Sequence, residues 1–419
     1  MQSKMGEKNN IPQIRFNGFD ESWEVKKLGE IGFTYSGLFG KSKIDFGHGE
    51  GKYITYMNIF SNPITNVDIT APIEIDINQN EVEFGDVFFT TSSETPEEVG
   101  MTSVWLGSGK NTYLNSFCFG YRLTEELDSY FIAYLLRSFN TRKKITYLAQ
   151  GISRYNISKN KVMQICISRP KISEQYHIGS YFQNLDKLIT LQQQKHDKLV
   201  TLKKAMLDKM FPTEGADVPE IRFMGFTGDW DEEKLGDIGY TYTGLTGKTK
   251  ADFGHGNGKY ITYMNVFSNP VADNDITEAI EVDNNQNKVQ FGDVFFTTSS
   301  ETPEEVGMSS VWLKNCHNTY LNSFCFGYRP NIKVDNYYFA YLLRSTVIRK
   351  RIIFLAQGIS RYNISKNKVM EISVPLPNLE EQKQIGSYFQ NLDKLISLHQ
   401  QEIQKLKNIK KACLEKMFV

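Results

Sequence analysis

The chain contains an internal duplication, and this feature limits its possible folds more than any other. Trp23 recurs as Trp230, 207 positions later. The same offset relates residues 12–211 to residues 219–418 without a gap, and about two-thirds of the aligned positions are identical. Solenoid repeats are much shorter, roughly 20 to 45 residues. The chain is therefore predicted to hold two similar domains.

Each copy divides into a globular part and a long helix. Segments such as KYITYMNIF and FGDVFFTT favour strands, whereas YFIAYLLRS has a helical pattern. We therefore predict an α+β (mixed α/β) fold for each globular part. The predicted boundaries are 1–172 for the first globular domain with a loose tail over 1–12, 173–211 for the first helix, 212–379 for the linker and second globular domain, and 380–419 for the second helix.

The helical part of each copy has a long apolar stripe. Between residues 178 and 210 there is no Pro and no Gly beyond Gly179, and Pro212 follows. At 1.5 Å per residue, a helix of about 33 residues spans roughly 50 Å. Apolar residues at three- and four-residue steps, with Lys outside them, are typical of a coiled coil. The two helices are predicted to pair antiparallel, with separate docking of each helix onto its own globule as the alternative.

Composition restricts the function. The 48 basic residues equal the 48 acidic ones, so bulk positive charge cannot hold nucleic acid and any DNA binding must be local or shared with partners. The sequence has no apolar run of about 18 residues and no signal-peptide pattern at its start, which predicts a cytoplasmic protein. Five cysteines without a C-x-x-C pair favour buried thiols over a metal site.

The motifs that suggest catalysis fail when their spacing is counted. GLFGKS has only two residues between its glycines, whereas a Walker A loop needs four. No glycine-rich loop for S-adenosylmethionine and no Asn-Pro-Pro-aromatic tetrapeptide is present. The chain is therefore predicted to lack an active site of its own and to bind no cofactor or metal.

Three loop regions carry groups suited to DNA. GLFGKSK and the following DFGHGEGKY supply lysines, a histidine and a tyrosine, TTSSETPEEVG supplies hydroxyls and carboxylates, and LAQGISRYNISKNKVM supplies a guanidinium, a phenol and amides. Solvated turns, capping and a structural loop are the respective alternatives. The predicted DNA-contacting residues are Lys41, Lys43, His48, Lys52, Tyr53, Ser92, Ser93, Glu94, Arg154, Tyr155 and Asn156, with their counterparts Lys248, Lys250, His255, Lys259, Tyr260, Ser299, Ser300, Glu301, Arg361, Tyr362 and Asn363.

These segments, taken in order and twice, resemble the specificity (S) subunit of type I restriction-modification systems. The pieces that carry the resemblance are FGDVFFTTSSETPEEVG, YLNSFCFGYR and LAQGISRYNISKNKVM, followed by a proline, an EQ pair and the helix IGSYFQNLDKLI. The resemblance implies two target recognition domains, each for one half of a bipartite double-stranded DNA site, and two helices that set the gap. It also implies two methyltransferase subunits that use S-adenosylmethionine, and restriction subunits that use ATP and Mg²⁺.

One departure from the family changes the expected target. Recognition domains within one S subunit commonly differ, whereas here they are nearly the same. We therefore expect an interrupted inverted repeat or a near relative of one. Half-site differences are expected at positions that changed between the copies, such as Phe39/Thr246, Ile44/Ala251, Glu50/Asn257, Asn66/Asp273 and Lys110/His317.

Two alternatives of other classes remain at this point. Glu94 and its copy could serve a stand-alone, carboxylate-dependent nuclease. With 13% aromatic residues, the chain could instead be a carbohydrate- or protein-binding repeat. DNA cleavage by the purified chain with Mg²⁺ would favour the first, and binding without a preference for DNA the second.

Overall fold

The computed structural model describes residues 10–419. Most of the predicted tail, residues 1–9, lies outside the described residues. The rest of it is held in place, because the backbone N–H of Trp23 donates to the carbonyl of Asn10 at 2.9 Å and Pro12 is buried.

The two copies contain the same elements in the same order. The strands of the first copy are β1 (Glu24–Lys27), β2 (Gly32–Ser36), β3 (Phe46–Ile54), β4 (Thr70–Ile73), β5 (Val87–Thr90), β6 (Ser92–Ser93), β7 (Thr102–Val104), β8 (Thr112–Leu114), β9 (Cys118–Leu123), β10 (Tyr155–Asn156) and β11 (Cys166–Arg169). Its helices are α1 (Tyr56–Ser61), α2 (Ser129–Leu135), α3 (Phe139–Tyr147), α4 (Lys159–Val162) and α5 (Ile172–Lys209).

The strands of the second copy are β12 (Asp231–Lys234), β13 (Gly239–Thr243), β14 (Phe253–Ile261), β15 (Thr277–Ile280), β16 (Val294–Thr297), β17 (Ser299–Ser300), β18 (Ser309–Val311), β19 (Thr319–Leu321), β20 (Cys325–Pro330), β21 (Tyr362–Asn363) and β22 (Ser373–Leu376). Its helices are α6 (Tyr263–Ser268), α7 (Asn336–Leu342), α8 (Thr346–Phe354), α9 (Lys366–Val369) and α10 (Leu379–Lys416).

A four-stranded antiparallel sheet, β2-β9-β5-β7, is the centre of the first globule, and β13-β20-β16-β18 is its equivalent. Successive side chains of strand β5 point to opposite sides of the sheet, and both sides are buried. Phe89 packs with α2 and the long helix, whereas Phe88 packs with Trp105 and the second, three-stranded sheet β4-β3-β8. The predicted mixed α/β globule is confirmed.

Buried polar groups join the sheets to their loops. The Tyr35 hydroxyl donates to Asp86 at 2.6 Å, and the Arg122 guanidinium donates to both oxygens of the same carboxylate at 2.8 Å. Burial raises the pKa of Tyr35 well above its usual range. Arg137 donates to four backbone carbonyls, which ties α2 to the end of α1 and to β7.

The chain forms two compact units that cut across the two long helices. Unit 1 is Met1–Gln193 with Gln401–Val419, and unit 2 is Gln194–Gln400. Unit 1 thus contains the first part of α5 and the last part of α10, and unit 2 contains the remaining part of each helix. The helices span Ile172–Lys209 and Leu379–Lys416.

Within unit 1, the two helix segments run antiparallel. The Tyr181 hydroxyl lies 3.6 Å from the Cys413 sulfur, whereas Asp186, further along α5, pairs with Lys410, which is earlier in α10. Beyond the end of α10, Phe418 stacks on Phe182 with ring centroids 5.6 Å apart.

Unit 2 repeats the arrangement with the helices exchanged. Lys203 of α5 pairs with Asp393 of α10, and Phe211 stacks on Phe389 with centroids 5.9 Å apart. These contacts confirm the predicted antiparallel pairing. The alternative also holds in part, since the first turns of α5 bury residues such as Leu185 in the globule's own core.

The prediction of buried thiols is correct for three cysteines and wrong for Cys166, which is exposed at the start of β11, and for Cys316, which is half-buried. Trp105 and Trp312 are core residues. No helix within residues 10–419 combines the length and apolarity that a membrane span requires.

Candidate nucleic-acid interface

Two of the predicted DNA-contacting loops meet in a small sheet. Strand β10 pairs antiparallel with β6, which places Tyr155 opposite Ser93 and Asn156 opposite Ser92. The amide of Ile157 also donates to the Thr91 carbonyl at 3.0 Å. Segments about 60 residues apart in the sequence therefore form one continuous surface.

The Arg154 loop is a tight hairpin closed by its own backbone. The amides and carbonyls of Gln150 and Asn156 exchange hydrogen bonds of 2.9 and 2.8 Å. Gly151 has φ of +143°, and a Cβ at this position would lie 2.0 Å from the Arg154 carbonyl oxygen, so only glycine fits. The closed hairpin leaves Ile152, Ser153 and Arg154 exposed at its tip.

The serines of the TTSSETPEEVG loop serve the fold. Ser92 and Ser93 are buried, and the Ser93 hydroxyl donates to Glu98 at 3.2 Å. The Ser92 carbonyl accepts from the Tyr56 hydroxyl at 2.7 Å, and burial raises the pKa of that phenol. Glu94 is exposed beside them. The Glu94 side chain is therefore open to solvent, whereas the side chains of the two serines are not.

Lys41 is paired within the protein. Its ammonium group lies 2.7 Å from the Asp76 carboxylate, and this hydrogen bond holds the pKa of Asp76 well below its usual range. The loop is fixed further because Gln79 exchanges hydrogen bonds of 3.0 and 3.1 Å with the backbone of Phe39. Lys43 in the next turn is exposed.

The remaining predicted residues lie on β3. His48 and Lys52 are exposed, with the His48 ring 3.7 Å from Glu74. Tyr53 is half-buried and packs edge-on against Phe46 at 5.1 Å. The backbone amide of Lys52 donates to the Asn111 carbonyl at 2.9 Å.

A lysine joins the GLFGKS loop to the Arg154 hairpin. The ammonium group of Lys159 lies 3.4 Å from the Ser36 hydroxyl, directly before that loop. The Lys41, Ser92 and Arg154 regions of unit 1 are thus neighbours, and the β3 group extends from them. Together they present a surface of mixed hydrogen-bonding groups and cations, which is the chemistry that base edges and phosphates require.

Unit 2 builds the same surface. Lys248 lies 2.7 Å from Asp283, and that contact lowers the pKa of Asp283 to about 2. Strand β17 pairs with β21, and Ser300 donates to Glu305 at 3.2 Å. Two of the predicted residues of unit 2 are buried, Ser299 and Ser300, and two are half-buried, Tyr260 and Tyr362. The exposed ones are Lys250, His255, Lys259, Glu301, Arg361 and Asn363.

Sequence reasoning missed two exposed apolar residues on this surface. Ile152 at the hairpin tip is 96% exposed, and Phe117, whose carbonyl accepts from Thr91, is 58% exposed. Their copies Ile359 and Phe324 are exposed to the same extent. The available signal was the identity of QGISR and LNSFCFG in both copies, where solvent-exposed apolar residues need a reason to persist.

The carboxylates of this surface do not form a metal site. Across residues 10–419, no three or more His, Cys, Asp or Glu side chains are grouped so that they could hold a metal ion. The alternative of a carboxylate-dependent nuclease therefore has no ligand cluster at Glu94.

Comparisons with known proteins agree on one family. Residues 20–201 and 227–408 match the type I restriction modification DNA specificity domain. A Methanocaldococcus jannaschii chain described as the specificity subunit of type I restriction enzyme MjaX is 23% identical, over 96% of this chain and 94% of that one. The MjaVIII specificity subunit of the same organism is 24% identical over 68% of each chain.

Solved structures share the fold. The S subunit of the type I restriction-modification system from M. genitalium superposes with a TM-score of 0.51 and 16% identity, over 98% of this chain and 99% of that one. The HsdS subunit from Thermoanaerobacter tengcongensis gives 0.50 and 18%, over 94% and 96%. A chain from a study of complex assembly and conformational transition in the type I R-M system gives 0.57 and 17%, over 94% and 96%.

Proposed function

Because the chain belongs to the family of type I restriction-modification DNA specificity subunits, which are not themselves catalytic, we propose that it recognises a bipartite, near-palindromic DNA site. Each unit reads one half-site in the major groove through the Arg154 hairpin and its neighbours. The exposed guanidinium suits guanine or phosphate, and Glu94 can accept from cytosine N4. The long helices set the gap between the half-sites.

The observation that carries the proposal is the duplication of the surface itself. The hairpin, the β6–β10 pairing and the Lys41–Asp76 contact recur in unit 2 with the same partners and nearly the same distances. Equal reading groups select equal bases. The reciprocal, antiparallel use of α5 and α10 favours an inverted rather than a direct repeat.

Catalysis in this proposal belongs to the partners. Two methyltransferase subunits bind S-adenosylmethionine and modify an adenine that is flipped out of the duplex. Restriction subunits, where they join, use ATP and Mg²⁺. The specificity chain recognises the target sequence and provides the assembly surface for the other subunits, in the cytoplasm.

Mapping of methylated bases in cells that carry this chain as their sole specificity subunit tests the proposal. We expect methylation at an interrupted inverted repeat, with departures from symmetry of only a few base pairs. Each such departure should cost about 1 to 3 kcal/mol in competition binding. Two unrelated half-sites, or a direct repeat, would contradict the near-palindrome. DNA cleavage by the purified chain with Mg²⁺ would instead support the nuclease.

A further inference from the structure

The two units differ in charge beside the candidate DNA surface. Glu81 in unit 1 corresponds to Lys288 in unit 2, and Gly107 corresponds to Lys314. All three charged side chains are exposed. We call these positions the charged rim. A single replacement of Glu by Lys changes the local charge by two units, so the rims of the two units have opposite signs.

In unit 1 the rim carries an acid. Asn111 adopts a left-handed backbone with φ of +51°, and its amide donates to the Glu81 carboxylate at 3.0 Å. The nearby Glu83 pairs with Arg122. A backbone amide does not cancel the charge of Glu81, so this carboxylate disfavours phosphate, whereas Lys110 directly before Asn111 favours it.

In unit 2 the same turn holds a cation. Asn318 also has φ of +51°, and the Lys288 ammonium group donates to the side-chain oxygens of Asn318 and Asn284 at 3.1 and 2.9 Å. Both acceptors are neutral amides. They orient the ammonium group without neutralising it, and Lys314 stands in the loop that leads into the same turn.

The rim is bonded to the candidate DNA surface. In unit 2, the amide of Lys259 donates to the Asn318 carbonyl at 2.9 Å. Asn287, next to Lys288, donates to the Thr243 carbonyl at 3.1 Å, directly before the GLTGKT loop. A duplex lying on the candidate surface therefore has its sugar-phosphate backbone within reach of the rim.

Other exchanges between the two units near the charged rim change the local charge in both directions. Replacement of Glu50 by Asn257 and of Glu83 by Gln290 makes unit 2 more positive, as Lys288 and Lys314 do. Three exchanges oppose this trend, namely Lys110 to His317, Ala71 to Glu278 and Asn66 to Asp273. The balance stays positive, because the four exchanges that favour unit 2 raise its charge by five units and the three that oppose them lower it by three.

We propose that the charged rim of unit 2 is a phosphate-binding surface that unit 1 lacks, so that two units with the same base-reading hairpin contribute unequally to DNA affinity. The inference rests on the proposed function. Phosphate contacts add affinity without adding sequence information. Unit 2 thus binds the backbone more strongly, while the preferred bases of the two half-sites stay nearly equal.

Reciprocal substitutions at one position test the inference. Lys288→Glu gives unit 2 the residue of unit 1, and Glu81→Lys does the reverse. Gly107 is left unchanged because a Cβ there would lie 2.6 Å from the Trp105 ring. The full chain is assayed alone and with the methyltransferase subunits of its system. The probes are a duplex with the mapped target and a random-sequence duplex of equal length, over a range of KCl concentrations.

Each phosphate contact contributes about 0.9 to the slope of log K against log salt concentration. Lys288→Glu should make that slope shallower by about 1 and weaken binding to both probes roughly tenfold at low salt. Glu81→Lys should steepen the slope, by at most about the same amount. The methylated sequence should not change in either variant.

Matched controls exchange charge elsewhere. Lys26 and Glu233 are also an exchanged pair, on β1 and β12, which pair with β11 and β22 just before the long helices. Lys26→Glu and Glu233→Lys alter net charge equally but should leave the slope unchanged. Equal slopes for all five proteins, or controls that move the slope as much as the rim variants, would overturn the inference. If the wild-type chain binds neither duplex, the proposed function itself fails.

Discussion

The two units have diverged very unevenly. In their interiors the correspondence is close, since Tyr35 donates to Asp86 at 2.6 Å and Tyr242 donates to Asp293 at 2.7 Å. At the charged rim, by contrast, a carboxylate has become an ammonium group. A lone change of a buried partner leaves an unsatisfied polar group. One is present in unit 2, where Ala272 replaces Thr65 and the buried Ser310 hydroxyl has lost this partner. Exposed rim residues change without that cost. Exchanges of charge at the exposed rim can therefore occur without a change of fold.

The contacts between the two long helices are the same in both units. In unit 1, Asp186 accepts from the Tyr134 hydroxyl at 2.7 Å and pairs with Lys410. In unit 2, Asp393 accepts from Tyr341 at 2.7 Å and pairs with Lys203. Each lysine also lies over the ring of the tyrosine, at 5.4 and 5.3 Å. The equivalence of the two units can be tested at the helix contacts, at the Arg154 hairpin and at the Lys41 loop.

The largest effect is expected from the aromatic residue that closes each unit. Phe418 is buried among Trp23, Phe131 and Phe182, and Phe211 is buried against Tyr338 and Phe389. Truncation of either to Ala leaves a core cavity and should lower the free energy of unfolding by about 3 to 5 kcal/mol. Urea denaturation measures this. Losses that differ by more than about 2 kcal/mol would show that the two cores are not equivalent.

A smaller and functional effect is expected at the hairpin tips. Arg154→Ala and Arg361→Ala should each weaken binding of the mapped target by about 1 to 3 kcal/mol, because the exposed guanidinium can form a paired contact with guanine. Arg154→Lys is the control, since it keeps the charge and loses the fork. Fluorescence anisotropy with labelled duplex gives the affinities. Unchanged binding by folded Arg154→Ala protein would return this residue to a structural role.

The smallest effect concerns the ion pair of the Lys41 loop. Lys41 and Lys248 lower the pKa of Asp76 and Asp283, the latter to about 2. A lowered carboxyl pKa means that the stabilisation is present above the ordinary value of about 3.9 and is lost as the pH falls through the lowered value. Lys248→Ala should therefore move the Asp283 titration upwards, towards about 3.9. Carbon-13 NMR of the carboxyl group measures it, and an unmoved titration would contradict the assigned cause.

Much of the fold could be predicted because the information was local or repeated. The fixed offset of 207 positions revealed the duplication, and the absence of Pro between residues 178 and 210 revealed the helix. The mutual exchange of helix ends was harder to derive. Asp186 and Lys203 are 17 positions apart on one predicted helix, about 25 Å, so they cannot pair with each other. The sequence alone does not say that Lys410 of the other copy reaches Asp186.

The sequence indicated which residues form the candidate site, but not which of them are buried or paired within the protein. The Arg154 hairpin was found because its glycine and polar groups are adjacent in sequence. The pairing of Lys41 with Asp76, 35 positions away, was not visible, and neither was the burial of Ser92 and Ser93 by a strand that begins at Tyr155. Periodicity reports neighbours along an element, whereas these contacts depend on loops that the tertiary fold brings together.

The sharing of helix ends also sets an order of events during synthesis. Unit 1 draws Met417 and Phe418 into its core, yet these residues follow the whole of unit 2 in the chain. A ribosome therefore releases the first globule with part of its apolar surface uncovered, and that surface waits while about 200 further residues are made. At roughly 5 to 20 residues per second, the wait lasts on the order of 10 to 40 seconds. During that interval the nascent chain needs protection from aggregation that the finished protein does not.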